Sequence, residues 1–393
     1  MKIDEVLTRG VERIYPDKKA LEKLLTSKKI TLYQGFDPTM PSLHLGHYAG
    51  LMKLRQFQKL GHKIIFLIGD FTGMIGDPTD KTQTRKQLTR KEVLQNSKDF
   101  KNQAGRIIDF EGTNRAEVLY NSQWNDKLSF EEILSLTSKF TYQQLIERDM
   151  FQERIKKGEP IYIHELLYPV VQAYDSLYMK VDLEIGGNDQ TFNMLTGRTL
   201  VKAVEGREKY VLTTKLLVDK DANKVGKTTG NALFLNKSPE EFFGGIMAFP
   251  DEVIKLGFEL LTEVSLDDLE DCIKKDPMGE KKHLAHEVVK IIWDEESANK
   301  SQANFENTFQ KQNVPQNMKV IKTNDTSLPI LDLIFMTKNL SSRSEAKRLI
   351  AQNAVEVDGA IINNPSEVIG IKKEGIVVKI GKKIFFKFVA NRN

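Results

Sequence analysis

The pattern of apolar and polar positions changes character three times along the chain. Residues Asp4 to Lys28 carry apolar side chains at helical spacing and predict a helix. Ile30 to Gln34 is a short β-like run, closed by Gly35-Phe36-Asp37-Pro38-Thr39. Leu43-His44-Leu45-Gly46-His47 then opens a helix that runs to Leu60 and stops at Gly61. The continuous apolar run from Lys63 to Gly69 predicts a buried strand. Strand, helix and strand within about 40 residues make a βαβ unit, and that unit implies a parallel sheet. Tyr168 to Lys180 (helix), Val181 to Ile185 (strand) and the punctuation Gly186-Gly187 repeat the pattern. Ligands of such sheets bind outside the carboxyl ends of the strands, so those loops are where chemistry is expected.

Between the two βαβ halves, residues 110–158 read as helical and polar, an insertion in the sheet domain. From Ser238 to Phe309 the pattern is wholly helical. Ser238-Pro239-Glu240-Glu241 is a capping box with proline at the first helical position, and Ser265-Leu266-Asp267-Asp268 is expected to open another helix in the same way. Gln310 to Ser327 has few large apolar residues and reads as a linker. Leu328 begins a compact module with an Arg/Lys-bearing helix (Ser341 to Gln352) and short strands around Val355-Glu356-Val357 and Ile376 to Phe388.

Composition narrows the class. A chain of 393 residues, 40% hydrophobic and 28% charged, suggests two to three soluble domains at roughly 150 residues each. No run of about 18 apolar residues spans a membrane, and the N-terminus is charged from Lys2 onward, unlike a signal or transit peptide. The single cysteine, Cys272, excludes an intramolecular disulfide and a multi-cysteine metal site; six scattered histidines do not imply a metal cluster. The net charge of +4 is uneven: residues 328–393 hold 11 Lys/Arg against 6 Asp/Glu, a net of +5, which leaves the rest at −1. A basic excess confined to one terminal module points to a nucleic-acid contact or to a solvated tail.

Two segments carry candidate phosphate chemistry. His44 and His47 stand three apart on the first turn of a helix, whose free N–H groups and partial positive charge favour an anion. Gly46 between them lets a flat ring approach the backbone. Lys224-Val225-Gly226-Lys227-Thr228 places two lysines three apart on a small-residue loop, able to clasp a polyphosphate or simply to face water. Tyr168, Gln172 and Asp175 lie at i, i+4 and i+7 on one helix stripe, which faces either solvent or a polar ligand. Asp189 and Gln190 follow the glycine pair at a strand end and suit hydroxyls of a ribose.

Together, the His-x-Gly-His and Lys-x-Gly-Lys-Thr segments make the chain resemble the class I aminoacyl-tRNA synthetases, and within them the bacterial tyrosyl-tRNA synthetase family. The resemblance covers essentially the whole chain. Its most specific stretches are YQGFDPTMPSLHLGH (33–47), GDFTGMIGDP (69–78), YPVVQAYD (168–175) and GGNDQ (186–190). Ser341-Ser342-Arg343-Ser344-Glu345-Ala346 and Val355-Glu356-Val357-Asp358-Gly359 resemble the S4-like RNA-binding fold. The sequence departs from the family at Val225 and Gly226, where Met and Ser are commoner, and Gln34 and Thr191 stand where subgroups differ.

The resemblance implies an α/β, Rossmann-like parallel-sheet catalytic domain (1–230, insertion about 110–160). An α-helical anticodon-binding domain (231–320) and a small α+β S4-like RNA-binding domain (328–393) follow. It implies activation of L-tyrosine by ATP with Mg²⁺ as substrate, without a protein-bound metal, then transfer to tRNA(Tyr). Asp175 and Tyr33 would bind the phenol, and Asp77, Tyr168 and Gln172 the ammonium, with Gln190 beside them. Gly35, Asp37, Thr39, His44, Gly46, His47, Gly187, Asp189, Gln190, Lys224 and Lys227 would hold ATP. His44, His47, Lys224, Lys227 and Thr228 would stabilise phosphate charge, with Lys81 and Arg85 closing over pyrophosphate. Arg343, Lys347 and Arg348 would contact RNA. A cytoplasmic homodimer joined through the insertion is expected. Three other readings compete. A tryptophanyl-tRNA synthetase is not expected to combine Tyr33, Asp175 and the basic module. A small-molecule nucleotidylyltransferase has no use for an RNA-type module. A non-catalytic RNA-binding paralogue has no use for intact His44, His47, Lys224 and Lys227.

Overall fold

Apolar runs build the centre of the N-terminal half. Val11–Tyr15 (β1), Thr31–Phe36 (β2), Lys63–Ile68 (β3), Glu117–Tyr120 (β4), Leu183–Gly187 (β5) and Tyr210–Thr214 (β6) form one sheet among the described residues, in the order β1-β6-β5-β2-β3-β4. All neighbours run parallel except β1, which is antiparallel to β6. The structure is a computed structural model that describes residues 2–79, 87–220, 224–225, 232–307, 318–337, 342–358, 360–372, 375–381 and 384–390. The chain divides into two compact units, Met1–Asn299 and Lys300–Asn393.

The strand order reverses between β2 and β5. From β2 the chain proceeds to β3 and β4 on one side; from β5 it proceeds to β6 on the other. Only Leu32 with Leu183 and Tyr33 with Glu184 are in register between β2 and β5. Beyond them β2 follows β3 and β5 follows β6, so the two strands part. A crevice at such a switch point, outside the carboxyl ends, is the ligand site of open α/β sheets.

Helices position the walls of that crevice. The Leu45–Lys59 helix follows β2 and is buried at Leu45, Tyr48, Leu51, Met52, Leu54 and Phe57. The Ile163–Tyr178 and Thr191–Glu205 helices flank β5 in sequence and pack on each other. The helices Pro239–Met247, Ile254–Leu261, Leu269–Lys275 and Pro277–Ile292 belong to the same unit as the sheet. Ile254–Leu261 packs on Leu45–Lys59, and the Tyr48 hydroxyl donates to the Leu261 carbonyl at 2.9 Å.

Three local expectations fail in this unit. The helix expected over 4–28 is two helices, Ile3–Val6 and Lys18–Ser27, with β1 between them. Gly10 lies at φ +65°, a left-handed conformation that ends a helix, and Pro16 supplies no N–H to carry one on. Asp17 then caps the second helix by accepting from the Ala20 N–H. The stretch read as an insertion from 110 contains β4, the sheet's edge strand; its helices begin only at Ser122. Ser265 does not cap a helix: its hydroxyl donates to Asp267, and Asp268 at φ +57° turns the chain before the Leu269–Lys275 helix.

The second unit contains Lys319–Thr323 (β7), Ser327–Pro329 (β8), Val355–Val357 (β9), Ala360–Ile361 (β10), Val368–Gly370 (β11), Ile376–Ile380 (β12) and Ile384–Ala390 (β13). Five of them make a sheet in the order β10-β9-β12-β13-β7, and β8 pairs with β11. β7 lies inside the stretch expected to be linker. It is an edge strand paired in parallel with β13, and its burial is slight except at Thr323, so alternation of apolar residues does not mark it. The helices Ile330–Met336 and Arg343–Ala351 contribute Leu333, Ile334 and Ile350 to a core shared with Val378 and Phe388.

Candidate active site

The carboxyl ends of β2, β5 and β6 and the start of the Leu45–Lys59 helix enclose a cleft of ≈ 600 Å³. Every described residue expected to hold tyrosine or ATP lines it. Lys81, Arg85, Lys227 and Thr228 lie outside the described residues.

His44 is the N-cap of its helix. Its Nδ1 accepts from the Gly46 N–H at 3.1 Å, and His47 Nδ1 accepts from the His44 N–H at 3.2 Å. The rings stack 3.7 Å apart, inclined by 13°. With both Nδ1 atoms accepting, each neutral imidazole carries its proton on Nε2. Two imidazoles at a helix start, where backbone N–H groups and the helix dipole favour an anion, suit a phosphate. Lys224, the described lysine of the second signature, meets Asp189 with Nζ to Oδ2 at 2.6 Å. The structure therefore brings the lysine expected on phosphate against the carboxylate expected on ribose.

The Tyr168–Gln172–Asp175 stripe faces the cleft, not solvent. The Tyr168 hydroxyl donates to Asp37 Oδ2 at 2.8 Å, and Thr72 Oγ1 donates to Asp37 Oδ1 at 2.6 Å. Gln172 Nε2 donates to Glu184 at 2.9 Å. Gln190 Nε2 donates to Asp77 Oδ2 at 2.7 Å, and Thr79 donates to Asp77 Oδ1 through both its N–H and its hydroxyl. Asp77, Asp37, Tyr168, Gln172 and Gln190 thus give a cluster rich in acceptors, the chemistry an ammonium group needs.

Asp175 is 2% exposed and receives three donors: Trp124 Nε1 at 2.7 Å, Asn125 Nδ2 at 3.0 Å and Asn121 Nδ2 at 3.1 Å. Burial pushes its carboxyl up to about 7, against the pull of those donors, with the charge of Asp37 adding to the rise. Tyr33, 1% exposed, shares a 2.8 Å hydrogen bond with Ser176. Burial and the nearby Glu184 and Asp175 charges hold its phenol well above the usual range, and burial with the Asp37 charge does the same for Tyr168.

Sequence reasoning missed Asn121, Trp124, Asn125, Ser176, Glu184 and Arg148. The first three sit just past the carboxyl end of β4 and were hidden because β4 itself was not recognised. Arg148, buried between the rings of Phe151 and Phe192, reaches Thr79 Oγ1 at 2.5 Å and stands 3.6 Å from Asp77. In the second unit Lys347 and Arg348 are exposed on one helix, while Arg343 meets Asp332 at 2.8 Å. Among the described residues no group of three or more His, Cys, Asp or Glu is placed to hold a metal ion, and no helix is long and apolar enough to cross a membrane.

Comparison with known proteins adds to this geometry. The profile of tRNA synthetases class I (W and Y) matches residues 25–310, and that of the S4 domain matches residues 328–373. The tyrosine–tRNA ligase of Aquifex aeolicus (strain VF5) is 38% identical over 387 residues, 98% of each chain. That of Thermotoga maritima is 37% identical over 390 residues, 98% of this chain and 96% of the relative. A C-terminally truncated mitochondrial tyrosyl-tRNA synthetase of Coccidioides posadasii superposes with a TM-score of 0.65 at 26% identity, covering 77% of this chain and 90% of that one. The tyrosyl-tRNA synthetase of Archaeoglobus fulgidus complexed with L-tyrosine shares the fold, with a TM-score of 0.59 at 21% identity over 77% of this chain and all of that one.

Proposed function

The chain belongs to the class I tRNA synthetases for tryptophan and tyrosine, and we propose that within this family it is the tyrosine enzyme. It activates L-tyrosine with ATP and then loads the amino acid on tRNA(Tyr). The observation that carries this reading is the buried polar pair Tyr33 and Asp175, set in the same cleft as the two histidines of a helix start. A site built to hydrogen-bond a phenol rejects phenylalanine by about 10⁴–10⁵, because its buried polar groups would be left unpaired.

In the first step a tyrosine carboxylate oxygen bonds to the α-phosphorus of ATP, and the bond from that phosphorus to the β-bridging oxygen breaks, releasing pyrophosphate. No side chain has to act as nucleophile or base. Asp77, Tyr168, Gln172 and Gln190 take the ammonium, and Tyr33 with Asp175 takes the phenol, which fixes the carboxylate in line. His44 and His47 offer Nε2–H donors, and Lys224 and Lys227 offer charge, where negative charge grows on the phosphates. Asp189 takes the ribose, and this requires its contact with Lys224 to loosen as ATP enters. Lys81, Arg85 and Thr228 belong to the same phosphate set, and Mg²⁺ accompanies ATP as part of the substrate. In the second step a terminal ribose hydroxyl of tRNA attacks the tyrosyl carbonyl and AMP leaves.

Residues 1–230 supply adenylation, the helices that follow meet the anticodon region, and the S4 domain adds basic contacts through Arg343, Lys347 and Arg348. The protein works as a cytoplasmic homodimer. Phe130, Tyr142 and Ile163 expose 74%, 62% and 71% of their surface in and just after the insertion, a concentration of apolar side chains that fits a partner subunit. Pyrophosphate exchange run with each amino acid in turn tests the reading. Tyrosine alone should support it; exchange with tryptophan, or with none, overturns it.

A further inference from the structure

The residue that opens the Asp149–Lys157 helix of the insertion breaks a local rule. A helix N-cap is commonly Ser, Thr, Asp or Asn, whose side chain accepts from the first free N–H groups. A cation at that position opposes the helix dipole. Here the N-cap is Arg148, and its side chain makes no cap hydrogen bond. Only 6% exposed, it turns into the protein instead, between Phe151 of its own helix and Phe192 of the Thr191–Glu205 helix. The guanidinium carbon stands 5.5 and 5.2 Å from the two ring centroids. Burying a cation is costly unless it is paired and hydrogen-bonded, so its partners show what the placement is for.

Those partners lead to Asp77. Arg148 Nη2 donates to Thr79 Oγ1 at 2.5 Å, and the Thr79 hydroxyl donates to Asp77 Oδ1 at 2.7 Å. Chemistry fixes both directions, because a guanidinium only donates and an ionised carboxylate only accepts. The Thr79 N–H adds a bond to the same oxygen at 3.0 Å. The other oxygen takes Gln190 Nε2 at 2.7 Å, and Gln190 stands two residues before Phe192. Arg148 therefore touches both arms of the clasp on Asp77: Thr79 directly, and the Gln190 turn through the Phe192 ring. A carboxylate has about four acceptor sites, so these three bonds leave Asp77 room for a further donor. Asp77 lines the cleft, and Arg148 does not. The cluster there holds two carboxylates, Asp37 and Asp77, for one incoming ammonium. Arg148, 3.6 Å from Asp77 Oδ1, is a fixed cation that answers the second charge.

We propose that Arg148, reaching in from the insertion, is a positioning residue of the ammonium site: through the Thr79 hydroxyl and its seat on Phe192 it holds the Asp77 carboxylate where the amino group of tyrosine docks. This rests on the reading that Asp77 takes that ammonium. Arg148 does not touch the substrate. It sets where one carboxylate points and how much unanswered negative charge the cluster carries. The insertion is then a working wall of the amino-acid site, since it supplies the residue that aims Asp77.

The test uses the full-length protein, with pyrophosphate exchange for tyrosine and ATP and equilibrium binding of two probes. Tyramine keeps the ammonium and the phenol of tyrosine but lacks its carboxylate; desaminotyrosine keeps the phenol and the carboxylate but lacks the ammonium. Arg148→Met leaves a stem between the two rings and removes the charge and the donors. KM for tyrosine should rise about tenfold, the scale of a lost hydrogen bond to a charged group, with KM for ATP held within about twofold. Tyramine binding should weaken by the same factor, and desaminotyrosine binding should not. Arg148→Lys, which keeps a cation in the aromatic seat, should bind tyramine more tightly than Arg148→Met does. Thr79→Val removes the hydroxyl of the relay, and its effect combined with Arg148→Met should fall short of the product of the two, because both act along one path. Unchanged KM for tyrosine in Arg148→Met overturns the proposal. So does an equal loss of tyramine and desaminotyrosine, which is what a loosened pocket gives. Should Arg148→Met fail to fold, Thr79→Val, which leaves Arg148 seated, decides by the same pair of probes. A wrong functional reading shows separately, because the parent protein would then lack tyrosine-dependent exchange.

Discussion

The two compact units treat charge in opposite ways. In residues 1–299 charged side chains are taken out of water and given fixed partners: Asp175 among three donors, Glu184 on Lys209, Arg154 on Glu165 at 2.8 Å. In residues 300–393 no described Lys, Arg, Asp or Glu is buried, and Lys319, Lys322, Lys347 and Arg348 are exposed. A buried charge acts through geometry over a few ångströms. An exposed one acts through a field that reaches about a Debye length and fades with salt. This contrast fits the proposed division of work, in which the first unit tells one small molecule from another and the second holds a polyanion through its field.

The strongest way to break this contrast is to remove a buried charge. Asp175→Ala removes the acceptor that the side chains of Asn121, Trp124 and Asn125 share and opens a polar void in the proposed phenol site. Tyrosine activation should fall by about three orders of magnitude or more, since a pocket's unpaired polar groups carry discrimination of that size. Tyr33→Phe removes only a hydroxyl and should instead erode selectivity over phenylalanine. Pyrophosphate exchange with both amino acids measures the two effects. Normal exchange in Asp175→Ala would remove geometry as the first unit's working principle.

These residues also mark how far the sequence could be read. His44 and His47 were legible as candidates because they stand three apart on the first turn of a helix that follows a short β-like run, and Tyr168, Gln172 and Asp175 because they share a helix stripe; a helical period survives in one dimension. Glu184 was not, because a charged residue inside a short strand gives no sign of the lysine 25 positions on that neutralises it. The donors to Asp175 were missed with β4, whose four residues are too few to show alternation. β1 failed for a different reason: its Val-Glu-Arg-Ile-Tyr sits between segments of true helical spacing, and only Gly10 and Pro16 interrupt them. In the second unit β7 was mistaken for linker because an edge strand buries little and needs little apolar surface.

That last error sharpens the next experiment. Cutting at residue 327 would leave β7 attached to the first unit without its partner β13. Truncation after Asn307 keeps the Glu295–Phe305 helix whole and removes the terminal sheet intact. The shortened protein should form tyrosyl-adenylate at the parent rate, while tRNA charging drops by about 10²-fold at moderate salt, the scale expected when several phosphate contacts are lost. Single-turnover adenylation and charging, measured side by side, separate the units. Charging at full efficiency would make the second unit a passive appendage.

The smallest effect lies within the basic module, where the exposed cations are not equivalent. Arg343 stands over Phe335, with 5.6 Å from guanidinium carbon to ring centroid, and meets Asp332 at 2.8 Å, so part of its charge is already answered. Lys347 and Arg348 are exposed on the same helix. An exposed ion pair is worth little to stability, so neither loss should unfold the module, and its core of Leu333, Ile350 and Phe388 is untouched. Neutralising Lys347 and Arg348 together should weaken tRNA binding several-fold and lower the magnitude of the slope of log affinity against log salt by about 1.4 to 1.8, given a release of roughly 0.7 to 0.9 counterion per phosphate contact. Arg343→Ala, which frees the Asp332 carboxylate as it removes a cation, should change the slope by less. Affinity for tRNA titrated across salt concentrations reads both quantities at once. A larger slope change for Arg343 than for the other pair would mean that its aromatic seat serves to present the guanidinium to RNA. The second unit would then depend on placed geometry, as the first does, and the contrast between them would fail at this helix.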